Sequence, residues 1–258
     1  MTIELDPTPA EAGPRQVLFE ALFNVRDLGG YPTTDGRVTR WRTLYRADGL
    51  NRIVGPDLER LAELGLHTVL DLRTHGELEE RGRFPIESIP VAYHHLPVLR
   101  ETWEHWDVDA DVDAVAFLAE RYREMLDDGA PALAEALTIL ADAVAYPAVF
   151  HCAAGKDRTG VLAAVILGLL GVDDDTVADD YGLSHLAMDT LVDWVRTNFP
   201  ENLDAMTDQP AAFLAAPPRA MHELLGWVQA EHGSMEGYAS SIGVGADVVS
   251  GLRANLLA

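Results

Sequence analysis

Hydrophobic and polar positions change period several times along this chain. From Phe23 to Arg46 (FNVRDLGGYPTTDGRVTRWRTLYR) alternating segments meet at Asp35-Gly36, the mark of a β-hairpin. Gly55-Pro56-Asp57 opens a helix that aligns Leu58, Leu61 and Leu64 and closes at Gly65. His67–Leu72 (HTVLDL) and Val91–Val98 (VAYHHLPV) read as short buried strands, with a charged stretch, part helix and part loop, over Thr74–Pro85. Asp107–Asp113 alternates strictly and passes into a helical pattern reaching Met125; Pro131–Ala145 is a second helix. Tyr146–Cys152 (YPAVFHC) is a strand bounded by a proline, and Arg158–Leu170 an apolar helix stopped by Gly171. Beyond Asp173 the text is helical, with breaks near Pro200, at Pro217-Pro218 and at Gly233. Strand–helix–strand order before residue 171 predicts an α/β fold: a mainly parallel central sheet flanked by helices, with a helical C-terminal third. Residues 1–20 lack any period and read as a loose arm, leaving 21–258 as a single domain.

Composition alters this picture little, because 258 residues with 48% hydrophobic content can bury a core without staples. Charge alters it more. Acidic residues outnumber basic ones by 42 to 19, a net charge of −23. Such a surface repels nucleic acid and anionic lipid at long range, so neither nucleic acid nor stable membrane association is expected. The N-terminus has no signal-peptide pattern, and the longest apolar stretch, Gly160–Val172, is too short to span a bilayer. The expectation is a cytoplasmic protein whose oligomeric state stays open. Cys152 is the only cysteine, which excludes disulfides and multi-thiolate zinc sites; no metal and no cofactor is expected. All basic residues but Lys156 are arginine, and that lysine stands four positions after the cysteine.

The chemistry concentrates there. Val149–Gly160 reads V-F-H-C-A-A-G-K-D-R-T-G: an apolar strand ends at His151-Cys152, a small-residue loop follows, and an arginine begins a helix. Loop N–H groups and the positive end of the helix can converge on one anion. Ala153, Ala154 and Gly155 keep side chains clear, Lys156 and Asp157 complete the loop, and Arg158 offers a planar fork for two phosphate oxygens. In that field Cys152 is expected as a thiolate placed for in-line attack on phosphorus. Thr159 can donate a hydrogen bond to the sulfur when it leaves. A nucleotide-binding loop is excluded, since Phe150 and Asp157 stand where it needs Gly and Ser or Thr.

The spacing Cys152-x5-Arg158-Thr159 resembles the signature of the cysteine-dependent protein tyrosine phosphatase superfamily. The form HCAAGKDRTG resembles its atypical bacterial branch, which includes the mycobacterial secreted tyrosine phosphatase B, and shares A-G-K-x-R-T-G with phosphoinositide phosphatases. Phe23–Tyr31 (FNVRDLGGY), Leu44-Tyr45-Arg46 and Asp71-Leu72-Arg73 match further segments of that branch. The resemblance implies a tyrosine/dual-specificity phosphatase-like fold, a helical lid, and supporting roles for His151, Asn24, Arg26, Asp27 and Arg46. It implies a phosphomonoester hydrolase, dual specificity included, with a phosphocysteine intermediate and phosphotyrosine protein as partner. A phosphoinositide or small phosphate ester is the alternative substrate, favoured by Lys156 in the shared A-G-K segment. A silent phosphate-binding module is opposed by the intact Cys152, Arg158 and Thr159, and a sulfurtransferase would not call for Arg158.

The proton donor has three candidates. Asp71 ends a buried strand, where parallel sheets place their sites, and the resembled branch favours the Asp of its Asp-Leu-Arg segment. Asp157 lies in the loop itself, and Trp106-Asp107 opens the acidic run. Asp107, Asp109, Asp111 and Asp113 read more simply as leading into and capping a helix. That run is no calcium loop, because Val112 and Leu118 stand at its sixth and twelfth positions. Arg40, Arg42 and Arg46 share one face of an expected strand, either a solvated face or a basic rim, while His94-His95 and His222-Glu223 lack metal-site partners.

Overall fold

The computed structural model describes residues 15–102, 112–203 and 210–258. Five strands form one sheet: β1 (Arg26–Asp27), β2 (Leu44–Ala47), β3 (Thr68–Asp71), β4 (Ala92–His95) and β5 (Ala148–His151), in the order β1-β2-β5-β3-β4. Only β1 is antiparallel; β2, β5, β3 and β4 run parallel. Their carboxyl ends therefore meet at one edge, with Ala47 beside His151, His151 beside Asp71, and Asp71 beside His95.

Strands covered on both faces need apolar residues at successive positions, and β3 and β5 supply them. Leu70 and Phe150 face one core with Tyr122, Leu162 and Ile166, while Val69 and Val149 face a second with Tyr45, Leu61 and Phe84. The sheet is thus the middle layer of three. On the second face α1 (Pro56–Glu63) contributes Leu61, with Leu64 just past its end; α2 (His75–Arg81) follows β3 in the chain. On the first lie α3 (Ala114–Asp128), α4 (Ala130–Leu140) and α5 (Asp157–Leu170), the last buried along nearly its whole length. Gly171 ends α5 in the left-handed conformation, at φ 82°. Then come α6 (Asp174–Gly182), α7 (Ser184–Asn198), α8 (Pro218–His232), α9 (Met235–Ser241) and α10 (Ala246–Leu256). The chain end returns to the N-terminal half, where Ala258 N–H donates to Val38 O at 2.9 Å.

Several expectations change in detail. The turn at Asp35-Gly36 forms, with Thr33 N–H donating to Arg37 O at 2.9 Å and Thr39 N–H to Tyr31 O at 2.9 Å, but its arms make a bridge at Pro32 and Val38 and no regular strand pair. Arg40, Arg42 and Arg46 share no strand face: the strand begins at Leu44, Arg42 takes φ 57°, and Arg46 is buried. Pro131–Ala145 divides, because α4 stops at Leu140 and Ala143–Ala145 is a 3-10 turn. Asp113 caps α3, accepting from Val115 N at 2.8 Å, while Asp107, Asp109 and Asp111 lie outside the described residues. Of the expected arm, 1–14 also lies outside them, but residues 15–20 are tied down: Val17 N–H donates to Val25 O, and Glu20 N–H to Asp57. Among the described residues no helix is long and apolar enough to cross a membrane.

Candidate active site

At the carboxyl edge of the sheet β5 gives way to Cys152, which is 2% exposed, and the chain curls through Ala153, Ala154 and Gly155 before α5 begins at Asp157. Gly155 takes φ +66°, and a Cβ there would lie 2.7 Å from the carbonyl oxygen of Ala47, so only glycine closes the curl. Three outside donors seize successive loop carbonyls: Gly49 N–H on Ala153 O at 3.0 Å, Asn24 Nδ2 on Ala154 O at 3.0 Å and Arg46 Nη2 on Gly155 O at 2.8 Å. A trans peptide points its N–H opposite its C=O, so these anchors turn the N–H groups of Ala154, Gly155 and Lys156 toward the other side of the loop. Three consecutive N–H groups thus share one side of the loop.

Arg158 sits in the first turn of α5 and meets Glu77 of α2 in a two-pronged ion pair, Nη1 with Oε2 and Nη2 with Oε1 at 2.9 Å. Glu77 is itself fixed. Thr74 caps α2, its Oγ1 accepting from Glu77 N at 3.2 Å while Glu77 Oε2 accepts from Thr74 N at 2.8 Å. Burial alone would raise the Glu77 carboxyl, but Arg158 and the Thr74 hydrogen bonds outweigh it and hold the group below its ordinary range. Burial opposes the charge on Arg158, yet Cys152 and Glu77 more than restore it.

A cavity of about 270 Å³ opens over the loop. Glu77, Arg81, Thr102, Asp157 and Arg158 are its polar lining, with Ala153 and Ala154 of the loop; Leu99, Met125, Met188, Leu191, Phe213 and Leu214 are its apolar wall. Asp157 Oδ1 accepts from the Tyr122 hydroxyl at 2.6 Å, and that hydroxyl lies 2.6 Å from the Tyr181 hydroxyl. Thr159 is fully buried, and among the described residues its Oγ1 has no hydrogen-bond partner.

Asp71 is elsewhere. Fully buried, it faces Arg73 (Nε to Oδ1 at 2.9 Å, Nη2 to Oδ2 at 2.6 Å) and accepts from the Tyr93 hydroxyl at 2.8 Å. Burial pushes its carboxyl up, but His151, Arg73 and Tyr93 prevail and keep it well below the usual carboxylate range. It does not line the cavity. Its Oδ2 lies 3.6 Å from His151 Nε2; burial holds the imidazole below its ordinary value, and Nδ1 lies 3.2 Å from Cys152 O.

Beneath the loop lies a second ion network. Asp180 of α6 pairs with Arg26 Nε at 2.9 Å and Arg46 Nη1 at 2.6 Å, and accepts from the Tyr31 hydroxyl at 2.7 Å. Arg26 in turn donates to Asn24 Oδ1. Desolvation, with Arg26 nearby, lowers Arg46 to about 10, which still leaves it charged. Asp27, raised to about 6 by burial, accepts from Gly29 N and Arg42 N at 2.7 Å each and ties the N-terminal segment. Lys156 is buried beside the loop and turned away from the cavity.

Ala153, Ala154, Asp157 and Arg158 thus line one cavity, Cys152 starts the loop and Thr159 lies buried next to Arg158, while Asn24 and Arg46 hold the loop carbonyls and Arg26 holds Asn24. Glu77, Asp180, Tyr122 and Gly49 escaped the reading of the sequence. Thr74-His75-Gly76-Glu77 carries the spacing of a capping box and could have marked the first of these; Asp180 sits in an acidic run with no local signal.

A cysteine at the end of a parallel strand is thus followed by a tight loop whose carbonyls are held from outside and by an arginine in the first turn of the next helix. The sequence model of the tyrosine phosphatase family matches residues 17–258, and the chain belongs to that family. A Cupriavidus necator protein assigned by name to the tyrosine-protein phosphatases is 34% identical over 66% of this chain and 63% of its own length. The chain thus spans somewhat under two thirds of that relative. The triple specificity protein phosphatase PtpB of Mycobacterium tuberculosis is 27% identical over 91% of this chain and 96% of its own. A crystal structure of P. aeruginosa TpbA covers 67% of this chain and 91% of its own at 18% identity with a TM-score of 0.30, an overlap too low to compare the two sites.

Proposed function

We propose that this protein hydrolyses phosphomonoesters through a phosphocysteine intermediate and prefers aryl phosphates, phosphotyrosine in proteins above all. The reading rests on one arrangement: Arg158, aimed by Glu77, closes an amide nest that starts at Cys152 and opens into an apolar-walled cavity. The nest and the guanidinium hold three phosphoryl oxygens, and their charge complementarity grows as charge spreads in the transition state. Cys152 Sγ attacks phosphorus as the P–O bond to the leaving group breaks. The departing oxygen takes a proton from Asp157, the one cavity carboxyl not committed to a guanidinium. Water then attacks the phosphocysteine, Asp157 takes its proton, and the Thr159 hydroxyl supports the leaving sulfur. Asp71, paired with Arg73, remains ionised and braces His151 behind the nucleophile.

Cys152→Ser should abolish turnover of p-nitrophenyl phosphate while inorganic phosphate still binds, because nest and guanidinium survive the change. Activity within about tenfold of wild type would sink the covalent route. In a panel of phosphotyrosine, phosphoserine and phosphoinositide substrates, phosphotyrosine should show the highest kcat/KM, since only its ring fills the apolar end.

A further inference from the structure

Nothing in this chemistry uses Lys156, the only lysine in the chain. Its position inside the phosphate loop suits an anion receptor, yet its ammonium faces the other way. Lys156 is 1% exposed, and Nζ donates to the carbonyl oxygens of Phe213 and Ala215 at 2.7 Å each. It also lies 3.3 Å from Asp157 Oδ1. An ammonium has three N–H bonds, and these three partners occupy them all. The two carbonyls bracket Leu214, and Phe213 and Leu214 belong to the apolar wall of the cavity. Only a single 3-10 turn, Ala211–Phe213, orders this stretch before α8, so the Lys156 hydrogen bonds hold half-buried carbonyls at its end and just beyond it. The Phe213 ring leans on Phe117 of α3, 5.7 Å between centroids, which fixes the far side of the same wall.

We propose that Lys156 is a positioning residue that fastens the Phe213–Leu214 wall to the phosphate loop, selecting esters with a flat apolar body, and that it does not receive substrate phosphate. The proposal rests on the cavity being a phosphatase site. Loop and wall are then one rigid unit: the distance between the phosphoryl cradle and the surface that grips the ring is set by a side chain that does not itself line the cavity. A ligand with a second phosphate gains nothing at this position, because no N–H is left to meet it.

Lys156→Met keeps length and apolar stem but removes the three donors. We expect its KM for p-nitrophenyl phosphate to rise about tenfold while the inhibition constant of inorganic phosphate shifts by less than about twofold. Phe213→Ala should raise the same KM, and adding Lys156→Met to it should cost little more, since both act on one wall. Equal weakening of phosphate and aryl ester, or full additivity, would overturn the proposal. Should Lys156→Met fail to fold, the wild-type protein supplies the test: a soluble inositol bisphosphate should inhibit no more tightly than inorganic phosphate, and inhibition about tenfold tighter would return Lys156 to anion binding. Absence of wild-type turnover of p-nitrophenyl phosphate would instead remove the phosphatase reading itself.

Discussion

A carboxylate gripped on both oxygens by a guanidinium has little cause to carry a proton at neutral pH. Asp71 under Arg73 and Glu77 under Arg158 are both in that condition, and both are held below the ordinary carboxylate range. Asp157 accepts from the Tyr122 hydroxyl and faces the Lys156 ammonium, both at Oδ1. The assignments separate cleanly by leaving group. Removing a proton donor slows esters of poorly acidic alcohols far more than esters of acidic phenols, because only the former need protonation. Asp157→Asn should slow an alkyl phosphate on the order of 10²–10⁴-fold and p-nitrophenyl phosphate much less. Asp71→Asn should lower both alike, through a disturbed His151 and loop. Steady-state kinetics on the two substrates decides between them; a leaving-group-dependent loss confined to Asp71→Asn reverses the roles.

At the scale of elements, helix α2 turns a local motif into a remote duty. Its capping box exists to satisfy two N–H groups, and the same Glu77 carboxylate reaches across to orient Arg158. Thr74→Ala should therefore cost about 1 kcal/mol of stability in denaturant titration and also lower kcat/KM, whereas an ordinary cap would lower stability alone. The strand–loop–helix unit from β5 to α5 was legible in the sequence because its parts are consecutive: apolar run, small residues, arginine, apolar helix. Glu77 was not, because one glutamate in a charged stretch looks like any solvated helix face until the fold sets it beside Arg158. Arg46 misled for the converse reason. Spacing placed it with Arg40 and Arg42 on an open strand, but a cation fully enclosed by Asp180 and loop carbonyls reads the same in sequence as one facing water. The helical C-terminal third was legible as text; that α6 would deliver Asp180 beneath the loop was not.

Across the whole molecule, Asp180 joins the N-terminal strand, β2 and the C-terminal helices in one buried network. Burial alone would raise its carboxyl, but Arg26 and Arg46 hold it well below the ordinary carboxylate range. A depressed folded-state value means stability that is fully present above the unfolded value of about 3.9 and is lost as pH falls toward the folded one. Asp180→Asn leaves two buried guanidinium groups uncompensated, so it should cost about 3 kcal/mol or more at pH 7. The cost should shrink in acid, where the unfolded carboxyl takes up a proton that the folded one still refuses; urea titrations at pH 7 and pH 3 measure both. The order of strands carries one more consequence. The strand that leads into Cys152 comes late in the chain yet lies between β2 and β3, which come early. Its neighbours lie most of the N-terminal half away, so their encounter closes long loops, which is slow compared with winding a helix. Until that strand slots between its partners, Ala47 does not abut Gly155 and no donor holds the loop. A chain in refolding should thus regain its far-ultraviolet helical signal well before it regains turnover, and catalysis becomes a clock for the last long-range step of folding.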